Sequence, residues 1–328
     1  MKKLCAISLL LAFLLCGCAQ NAPVEREIFA MDTLMTLRVW GDDDDVAAAV
    51  SEINRLDALL SVTDENSEIY ALNRDGTAEF SLDTFELLNK AVAVSRRTDG
   101  AFDPTVYPLV EIWGFTKEEQ RVPSQGEIDA ALSRVGYEQL ERELDVTCVS
   151  MDGKIDLGGI AKGYAAQKVV ELLQSRGIET AFLSLGGNVQ TLGSKPDGAP
   201  WLVGIADPSA PSQAIACLRF HDSLALVTSG GYQRYFEENG VRYHHILDPK
   251  TGYPADSGLA SVTVLAHDGA LADGLSTALF VMGMEKATAL WRESDDFEAV
   301  FITKDGAIFA TDGAASLLTD CECTVIER

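Results

Sequence analysis

The segment Asp156–Tyr164, with the sequence DLGGIAKGY, decides the fold prediction because it joins a strand-like run to a helix-like run. The strand is predicted at 146–155 and the helix at Ile160–Arg176, with Gly177 as its stop. Glycines at such a junction let the backbone turn sharply and approach a ligand, and the free N–H groups of the first helical turn attract an anion. The segment is not a Walker A loop, because Lys162 is followed by glycine rather than by serine or threonine. A purely structural turn is an equally good interpretation of these residues alone.

Strand-like and helix-like periods follow one another along the rest of the chain, without strict βαβ alternation and without a repeat of fixed period. This pattern predicts the α+β class, with mixed sheets and packed helices. Further helices are predicted at 42–60, 84–98, 124–133 and 270–282. Further strands are predicted at 27–40, 180–185, 202–205, 224–228, 242–247, 261–266 and 299–303.

Composition limits the classes of partner. The 328 residues are 47% hydrophobic and 23% charged, which is typical of a globular protein with a sizeable core. The 26 lysines and arginines against 50 acidic residues give a formal net charge of −24, which would repel a nucleic-acid backbone. We therefore expect no nucleic-acid partner. An anionic small ligand would need a helix N-terminus or a divalent cation.

The N-terminal residues are typical of an exported lipoprotein. Lys2 and Lys3 form a basic region, and the apolar stretch 4–15 is shorter than the roughly 20 residues that span a bilayer. Residues 15–18 resemble a bacterial lipobox, in which the final cysteine is lipidated. We therefore expect a signal peptide at 1–17, lipidation at Cys18, a tether at 18–25 and a single domain at 26–328. The expected location is the cell membrane on its extracytoplasmic side, and a plain cleaved signal is the alternative.

Four of the seven cysteines remain after removal of this segment and lipidation of Cys18. Cys148 and Cys217 lie in apolar, strand-like runs and are interpreted as small core residues. Cys321 and Cys323 could each find a partner in an oxidising compartment, but the sequence assigns none.

The aspartate run at 42–45 invites a metal interpretation, although it directly precedes a helical pattern. One aspartate can cap the helix and the others can face the positive end of its dipole. Capping is the interpretation that we favour.

Two later segments carry possible catalytic groups. His244 and His245 are adjacent, so on a strand only one of them can face a given site. Asp273 and Thr277 are one helical turn apart and offer oxygen donors suited to Mg²⁺. An aspartate that caps its own helix, with a threonine bonded back to the preceding turn, is the structural alternative.

Taken together and in this order, these segments resemble the FAD:protein FMN transferase family, the ApbE-type flavin transferases. The fold that this implies is a T-fold-related α+β architecture. Asp32 departs from the family pattern, in which glycine is usual, and Gly274 stands where alanine is common. The resemblance is carried by 31–33, 67–70, 100–106, DLGGIAKGY at 156–164, LSLGGN at 183–188, TSGGYQRYF at 228–236, HHILDPKTG at 244–252 and ADGLSTALFVMG at 272–283.

The resemblance implies that the FMN moiety of FAD is transferred to a serine or threonine hydroxyl of a target protein, with release of AMP. Mg²⁺ would be held by the main-chain carbonyl of Ala161 and by the side chains of Asp273 and Thr277. His245 would take the proton of the acceptor hydroxyl, and His244 would face away. The implied FAD site consists of Met31, Tyr70, Ala101, Phe102, Asp103, Asp156, Lys162 and Ile246.

Two other functions use the same residues. One is a Mg²⁺-dependent FAD pyrophosphatase, in which water replaces the protein hydroxyl, and the other is a flavin-binding lipoprotein without turnover. For the transferase, the family implies acceptor flavoprotein subunits of membrane electron-transfer complexes as partners.

Overall fold

The computed structural model describes residues 22–117, 119–143 and 148–328 and has the predicted α+β fold. The predicted signal peptide, Cys18 and the tether up to residue 21 lie outside the described residues. The strands are β1 (Val24–Ala30), β2 (Thr33–Val39), β3 (Thr77–Glu79), β4 (Cys148–Ser150), β5 (Ala181–Leu185), β6 (Asn188–Leu192), β7 (Trp201–Asp207), β8 (Ala210–Phe220), β9 (Ala225–Gly230), β10 (Tyr235–Glu238), β11 (Val241–His244), β12 (Leu259–Ala266), β13 (Phe297–Thr303), β14 (Ile308–Thr311), β15 (Leu318–Thr319) and β16 (Thr324–Ile326).

All five predicted helices are present, and the described residues also form four further α-helices that were not predicted. The helix predicted at 270–282 continues to Arg292, with a break in helical geometry at Gly283, whose φ is 74°. Within the three described ranges, no helix has the length and apolar character that crossing a membrane requires. The helices are α1 (Asp43–Leu60), α2 (Glu68–Asp75), α3 (Leu82–Arg97), α4 (Tyr107–Trp113), α5 (Gln125–Leu132), α6 (Tyr137–Glu143), α7 (Ala161–Ser175), α8 (Gly269–Arg292) and α9 (Asp312–Ala315). Those that were not predicted are α2, α4, α6 and α9.

The aspartate run caps α1, as predicted. The Asp42 side chain accepts hydrogen bonds from the backbone N–H groups of Asp44 and Asp45, both at 3.0 Å. The Asp45 carboxylate accepts the N–H of Asp42 in return and pairs with Arg176 at 2.7 Å. These carboxylates are therefore used within the fold.

A nine-stranded sheet in the order β1-β2-β5-β6-β9-β12-β13-β14-β16 organises the molecule. Helices α1, α7 and α8 pack on one of its faces and bury the main hydrophobic core, which includes Leu37, Tyr164 and Phe280. A three-stranded sheet in the order β15-β8-β7 contributes Trp201 and Leu218 to a second core. A third cluster surrounds Trp113 and joins α4 and α5 to the β10–β11 hairpin.

Helices α7 and α8 approach each other closely at two glycines. A Cβ atom on Gly163 would lie 2.0 Å from the carbonyl oxygen of Gly269, and 2.6 Å from Cβ of Asp273. Only glycine permits this backbone approach. As a result, the first turn of α7 lies directly against the carboxylate-bearing turn of α8.

The strand predicted at 27–40 is wrong, because these residues form a hairpin. β1 and β2 pair antiparallel from Val24 opposite Val39 to Ala30 opposite Thr33. Met31 and Asp32 form the two-residue turn with φ values of 47° and 58°. Such turns require positive φ at both positions and are usually marked by Asn-Gly or Asp-Gly, which this sequence lacks.

Two other predicted strands are shorter than expected. The strand predicted at 146–155 is present only as β4, with 146–147 outside the described residues. It ends early because the backbone N–H and carbonyl of Ile155 bond to the Asn73 side chain, at 2.8 Å each, rather than to another strand. The strand predicted at 242–247 is present as β11, which ends at His244.

Cys217 is half-buried and is not a core residue, which corrects its prediction. It lies on β8 between the core residues Ala216 and Leu218, so strand periodicity directs it to the other face. Cys321 and Cys323 are free thiols packed at the edge of the second core. Cys148 begins β4, where its backbone lies opposite Glu79 of the antiparallel strand β3.

Candidate functional site

A cavity of about 560 Å³ opens where the β1–β2 turn, the β5–β6 turn and the first turns of α7 meet the middle of α8. This volume is in the range of small-molecule sites. Ten of the residues predicted from the sequence line the cavity: Met31, Ala101, Phe102, Asp103, Asp156, Lys162, His245, Ile246, Asp273 and Thr277.

The glycine turn forms one wall of the cavity. The Asp156 carboxylate accepts the N–H of Gly158 at 2.7 Å, and Lys162 Nζ donates to the carbonyl oxygen of Gly158 at 3.1 Å. Burial raises the pKa of Asp156. A Cβ on Gly159 would lie 3.1 Å from the Phe102 ring and 3.5 Å from the Thr277 hydroxyl, so this glycine lets the turn contact both.

Asp273 caps a helix other than its own. Its Oδ2 accepts the N–H of Gly163 in the first turn of α7 at 2.8 Å, and the side chain is buried. The N-cap of α8 is Asp268, which accepts the N–H of Leu271. The structural alternative, in which Asp273 caps its own helix, is therefore wrong. The carboxylate lies instead at the N-terminus of α7. The N-cap residue of α7 is Ile160, whose side chain makes no capping hydrogen bond.

The Thr277 hydroxyl faces the same cavity one turn further along α8. It lies 3.3 Å from Ser229 Oγ, and Ser229 Oγ is 2.8 Å from Ser276 Oγ. Ser276, rather than Thr277, is the residue whose hydroxyl bonds back to the preceding turn, at the carbonyl of Asp273. The cavity thus presents a carboxylate and a hydroxyl side by side.

These oxygens fit Mg²⁺, which prefers hard oxygen donors and usually keeps several ligands from water or substrate phosphates. Ala161, the third predicted ligand, is buried at the first position of α7 and does not line the cavity surface. Among the described residues there is no group of three or more His, Cys, Asp or Glu side chains that could hold a metal ion. A cation here would therefore depend on few protein side chains and on the substrate.

His245 has one ring nitrogen fixed and one available. Its Nδ1 lies 3.1 Å from the carbonyl oxygen of Arg234, which also accepts its backbone N–H at 3.1 Å. A carbonyl only accepts, so Nδ1 carries the proton and Nε2 is left as an acceptor. Burial lowers the pKa of His245 to about 4, and the nearby charges of Arg234 and Lys162 act in the same direction. The imidazole is therefore neutral at neutral pH and can take a proton.

His244 has different surroundings and does not line the cavity. Its Nε2 lies 3.0 Å from the carbonyl oxygen of Ala255, and its ring stands edge-on to Phe280 with the centroids 5.5 Å apart. Burial lowers its pKa. The ring also covers Gly231, where a Cβ would lie 2.7 Å from it.

Two predicted FAD residues have other contacts in this structure. Tyr70 is half-buried on α2 and is not part of the cavity lining. Its ring centroid lies 5.9 Å from Cζ of Arg74, which is a cation–π contact. Asp103 does line the cavity, but its carboxylate accepts both polar hydrogens of Thr105 and the N–H of Tyr137. Its carboxylate thus holds the 100–106 segment in place.

Sequence reasoning did not single out Arg234 and Asn188, which line the same cavity. Arg234 is exposed, and its Nη2 donates to the carbonyl oxygen of Phe115 at 3.4 Å. An arginine three residues after a glycine pair, in so acidic a chain, was the available signal in the sequence. Asn188 comes directly after the Gly186–Gly187 pair in the sequence. This position, next to a glycine turn, could have indicated that Asn188 lies near a ligand.

Comparisons with known proteins agree with the predicted family. The ApbE family model matches residues 31–301. The FAD:protein FMN transferase of Klebsiella pneumoniae (strain 342) is 36% identical, over 84% of this chain and 87% of that protein. The FAD:protein FMN transferase of Treponema pallidum (strain Nichols) is 34% identical, over 92% of each.

Solved structures have the same fold. The ApbE protein of Thermotoga maritima MSB8 superposes with a TM-score of 0.84 at 37% identity, covering 91% of this chain and 100% of that one. The flavin transferase ApbE of Vibrio cholerae superposes with a TM-score of 0.78 at 28% identity, covering 90% and 98%. Sequence match, fold and site thus agree over nearly the whole described chain, and the chain belongs to the ApbE family.

Proposed function

We propose that this chain transfers the FMN moiety of FAD to a hydroxyl group of a target protein. The observation that carries the proposal is that His245, with a free acceptor nitrogen, shares one cavity with the Asp273 and Thr277 oxygens at the N-terminus of α7. Relatives over most of the chain are named FAD:protein FMN transferases.

In the proposed complex, the diphosphate of FAD lies near Lys162 and the first turn of α7, where a positive side chain and the helix dipole favour an anion. Met31, Ala101, Phe102 and Ile246 offer apolar surface to the rest of the molecule. Asp156 shapes the glycine turn through its bond to Gly158. Tyr70 has no part in this assignment.

The Asp273 carboxylate and the Thr277 hydroxyl would hold Mg²⁺. The family resemblance adds the main-chain carbonyl of Ala161 as a third ligand, although Ala161 is buried and does not line the cavity. When bound, the ion would neutralise charge on the diphosphate and polarise the reacting phosphoryl group. The buried bond from Gly163 N–H to Asp273 fixes the carboxylate in place before any ligand arrives.

The reaction that follows is a phosphoryl-group displacement. Nε2 of His245 accepts the proton of the acceptor hydroxyl, whose oxygen forms a bond to the phosphorus on the FMN side of the diphosphate. The bridging P–O bond breaks and AMP leaves. The carbonyl of Arg234 holds the imidazole in the tautomer that this step needs, and its guanidinium offers positive charge beside it.

We also propose that the protein acts as a lipoprotein anchored through Cys18 on the extracytoplasmic side of the cell membrane. The lipobox-like residues 15–18 support this location. Acceptors would then be those flavoprotein subunits of membrane electron-transfer complexes that present a hydroxyl on the same side.

The test is incubation of the purified protein with FAD and Mg²⁺, with and without a purified acceptor subunit. Covalent flavin on the denatured acceptor, with one AMP released per flavin bound, supports the transferase. Release of FMN and AMP at the same rate without acceptor, and no covalent product with it, identifies a pyrophosphatase. Binding of FAD without either product identifies a flavin-binding protein and contradicts the proposal.

A further inference from the structure

Asn188 carries a buried donor that the protein leaves without a partner. It is the first residue of β6, only 4% exposed, and it lines the cavity. Its Nδ2 has no hydrogen-bond partner in the structure. Nearly all buried polar groups in proteins are paired, because an unmade hydrogen bond leaves the cost of desolvation uncompensated. On a side chain that lines a cavity, an unpartnered donor therefore points to a ligand atom that accepts its hydrogen bond.

The position of Asn188 indicates which part of the ligand this is. Asn188 and Gln190 are two residues apart on β6, so their side chains share a face of the sheet. Gln190 Nε2 donates to Gln167 Oε1 of α7 at 2.8 Å, so this face covers α7. Asn188 lies on the cavity side of that contact, in a lining shared with Lys162 and Asp273. These are the groups around the N-terminus of α7, where an anion is favoured.

We propose that Asn188 is a substrate-contacting residue whose Nδ2 donates a hydrogen bond to an oxygen of the FAD diphosphate. The inference rests on the proposed function, which makes FAD the substrate. It assigns to β6 a contact with the same diphosphate that Lys162 is proposed to bind. The turn before it explains how the strand delivers the side chain. Gly186 and Gly187, with φ values of 62° and 94°, reverse the chain at the cavity wall and start β6 at Asn188.

Three variants of the full-length protein test this. Asn188→Leu removes the donor at similar volume, and Asn188→Asp keeps the shape but replaces the donor with a negative charge. Gln190→Leu is the matched control, because it removes a buried carboxamide from the same face of the same strand, outside the cavity lining. Affinities for FAD and for riboflavin, which has no phosphate, are measured by quenching of flavin fluorescence, with Mg²⁺ and with EDTA.

We expect Asn188→Leu to weaken FAD binding about tenfold or more, as for loss of a hydrogen bond to a charged group. Asn188→Asp should weaken it further, since a carboxylate repels the diphosphate. Riboflavin affinity should change less than about twofold in Asn188→Leu, and Gln190→Leu should bind FAD as the wild type does.

Equal FAD affinity of Asn188→Leu and wild type would overturn the inference, as would an equal loss for riboflavin. Wild-type affinity in Asn188→Asp would show that the free atom accepts rather than donates, which also overturns it. If Asn188→Leu fails to fold by circular dichroism, the isosteric Asn188→Asp alone decides between these outcomes. A wild type that does not bind FAD contradicts the proposed function itself, so the two failures are distinguishable.

Discussion

The rings of His245 and His244 differ in what their nitrogens contact, and this difference separates chemistry from folding at two adjacent residues. We expect His245→Ala to lower covalent flavin transfer by roughly 10²–10⁴-fold, the usual contribution of a general base. FAD affinity should change little, because the proton moves only in the reaction. Timed flavin fluorescence on a denatured acceptor, beside FAD affinity by quenching, measures both.

His244→Ala is the control for that prediction. The variant loses the contacts with Phe280 and the Ala255 carbonyl, so it should lower the melting temperature and largely preserve transfer. If His244→Ala abolishes transfer while His245→Ala does not, the roles of the two residues are reversed.

The lowered pKa of His245 predicts the pH dependence of the reaction. A histidine with the ordinary pKa of 6.5 would lose its basic form below that pH, whereas burial keeps this imidazole unprotonated toward about pH 4. The acid limb of kcat/KM, which reports the free enzyme, should therefore lie well below pH 6.5. The measurement is kcat/KM between pH 4.5 and 8, and a limb centred near 6.5 that disappears in His245→Ala would contradict the prediction.

Asp273 caps α7, and the proposed binding of Mg²⁺ gives its carboxylate a second function that can be tested separately. Asp273→Asn keeps an acceptor for the Gly163 N–H, so the free energy of unfolding should change by less than the roughly 0.5–2 kcal/mol that a lost cap costs. Loss of the charge should abolish Mg²⁺-dependent turnover. Thermal unfolding and turnover across a Mg²⁺ titration give the two readouts.

Thr277→Val serves as the milder comparison for Asp273→Asn. A hydroxyl is a weaker donor than a carboxylate, so this variant should need more Mg²⁺ but still turn over. Normal turnover of Asp273→Asn at limiting Mg²⁺ would leave Asp273 with the capping function alone.

At the scale of elements, the contact between α7 and α8 sets the geometry of the site. Gly163→Ala would place a Cβ 2.0 Å from the Gly269 carbonyl, so the helices must separate, at a cost of about 1–3 kcal/mol or more. The Asp273 carboxylate would move with them, so the melting temperature and Mg²⁺ affinity should both fall. Gly126→Ala on α5, where a Cβ meets nothing within 4 Å, is the matched control and should not lower the melting temperature. Equal melting temperatures for both variants would refute this account.

The elements also show what sequence reasoning can reach. Helices such as α1 and α7 were predictable because their caps, glycine stops and apolar spacing are local signals. The spacing of Asp273 and Thr277 was readable for the same reason. The turn at Met31 and Asp32 was not, because its positive φ values are held by tertiary contacts, including the bond from the Met31 N–H to Asp57 on α1.

Site contacts between distant segments were equally out of reach. The capping of α7 by Asp273 joins residues 110 positions apart, and no local pattern encodes it. The bond from His245 to the Arg234 carbonyl depends on the β10–β11 hairpin closing between them. The resemblance to a family supplied the roles of these residues, and the structure supplied their partners.

At the scale of the whole molecule, an acidic chain binds an anionic substrate through a few local cations. The formal charge is −24, and the cavity itself is lined by the four aspartates Asp32, Asp103, Asp156 and Asp273 against Lys162 and Arg234. Repulsion over the surface would oppose FAD at long range, and the Mg²⁺ proposed at Asp273 would reverse this balance locally. Asp32, where the family usually has glycine, adds one more negative charge to this balance.

The position of the molecule in the cell gives the last prediction. β1 begins at Val24, two residues before the predicted domain boundary, because Val24 already pairs with Val39. A lipid on Cys18 would therefore hold the edge of the nine-stranded sheet close to the membrane surface.

Cys18→Ser should leave an exported, unlipidated protein that partitions into the aqueous phase of a detergent extraction, whereas the wild type enters the detergent phase. Because the cavity-lining residues begin only at Met31, FAD affinity should be the same in both forms. Entry of both forms into the detergent phase would contradict the lipid anchor, and a loss of FAD affinity in Cys18→Ser would contradict the independence of the domain.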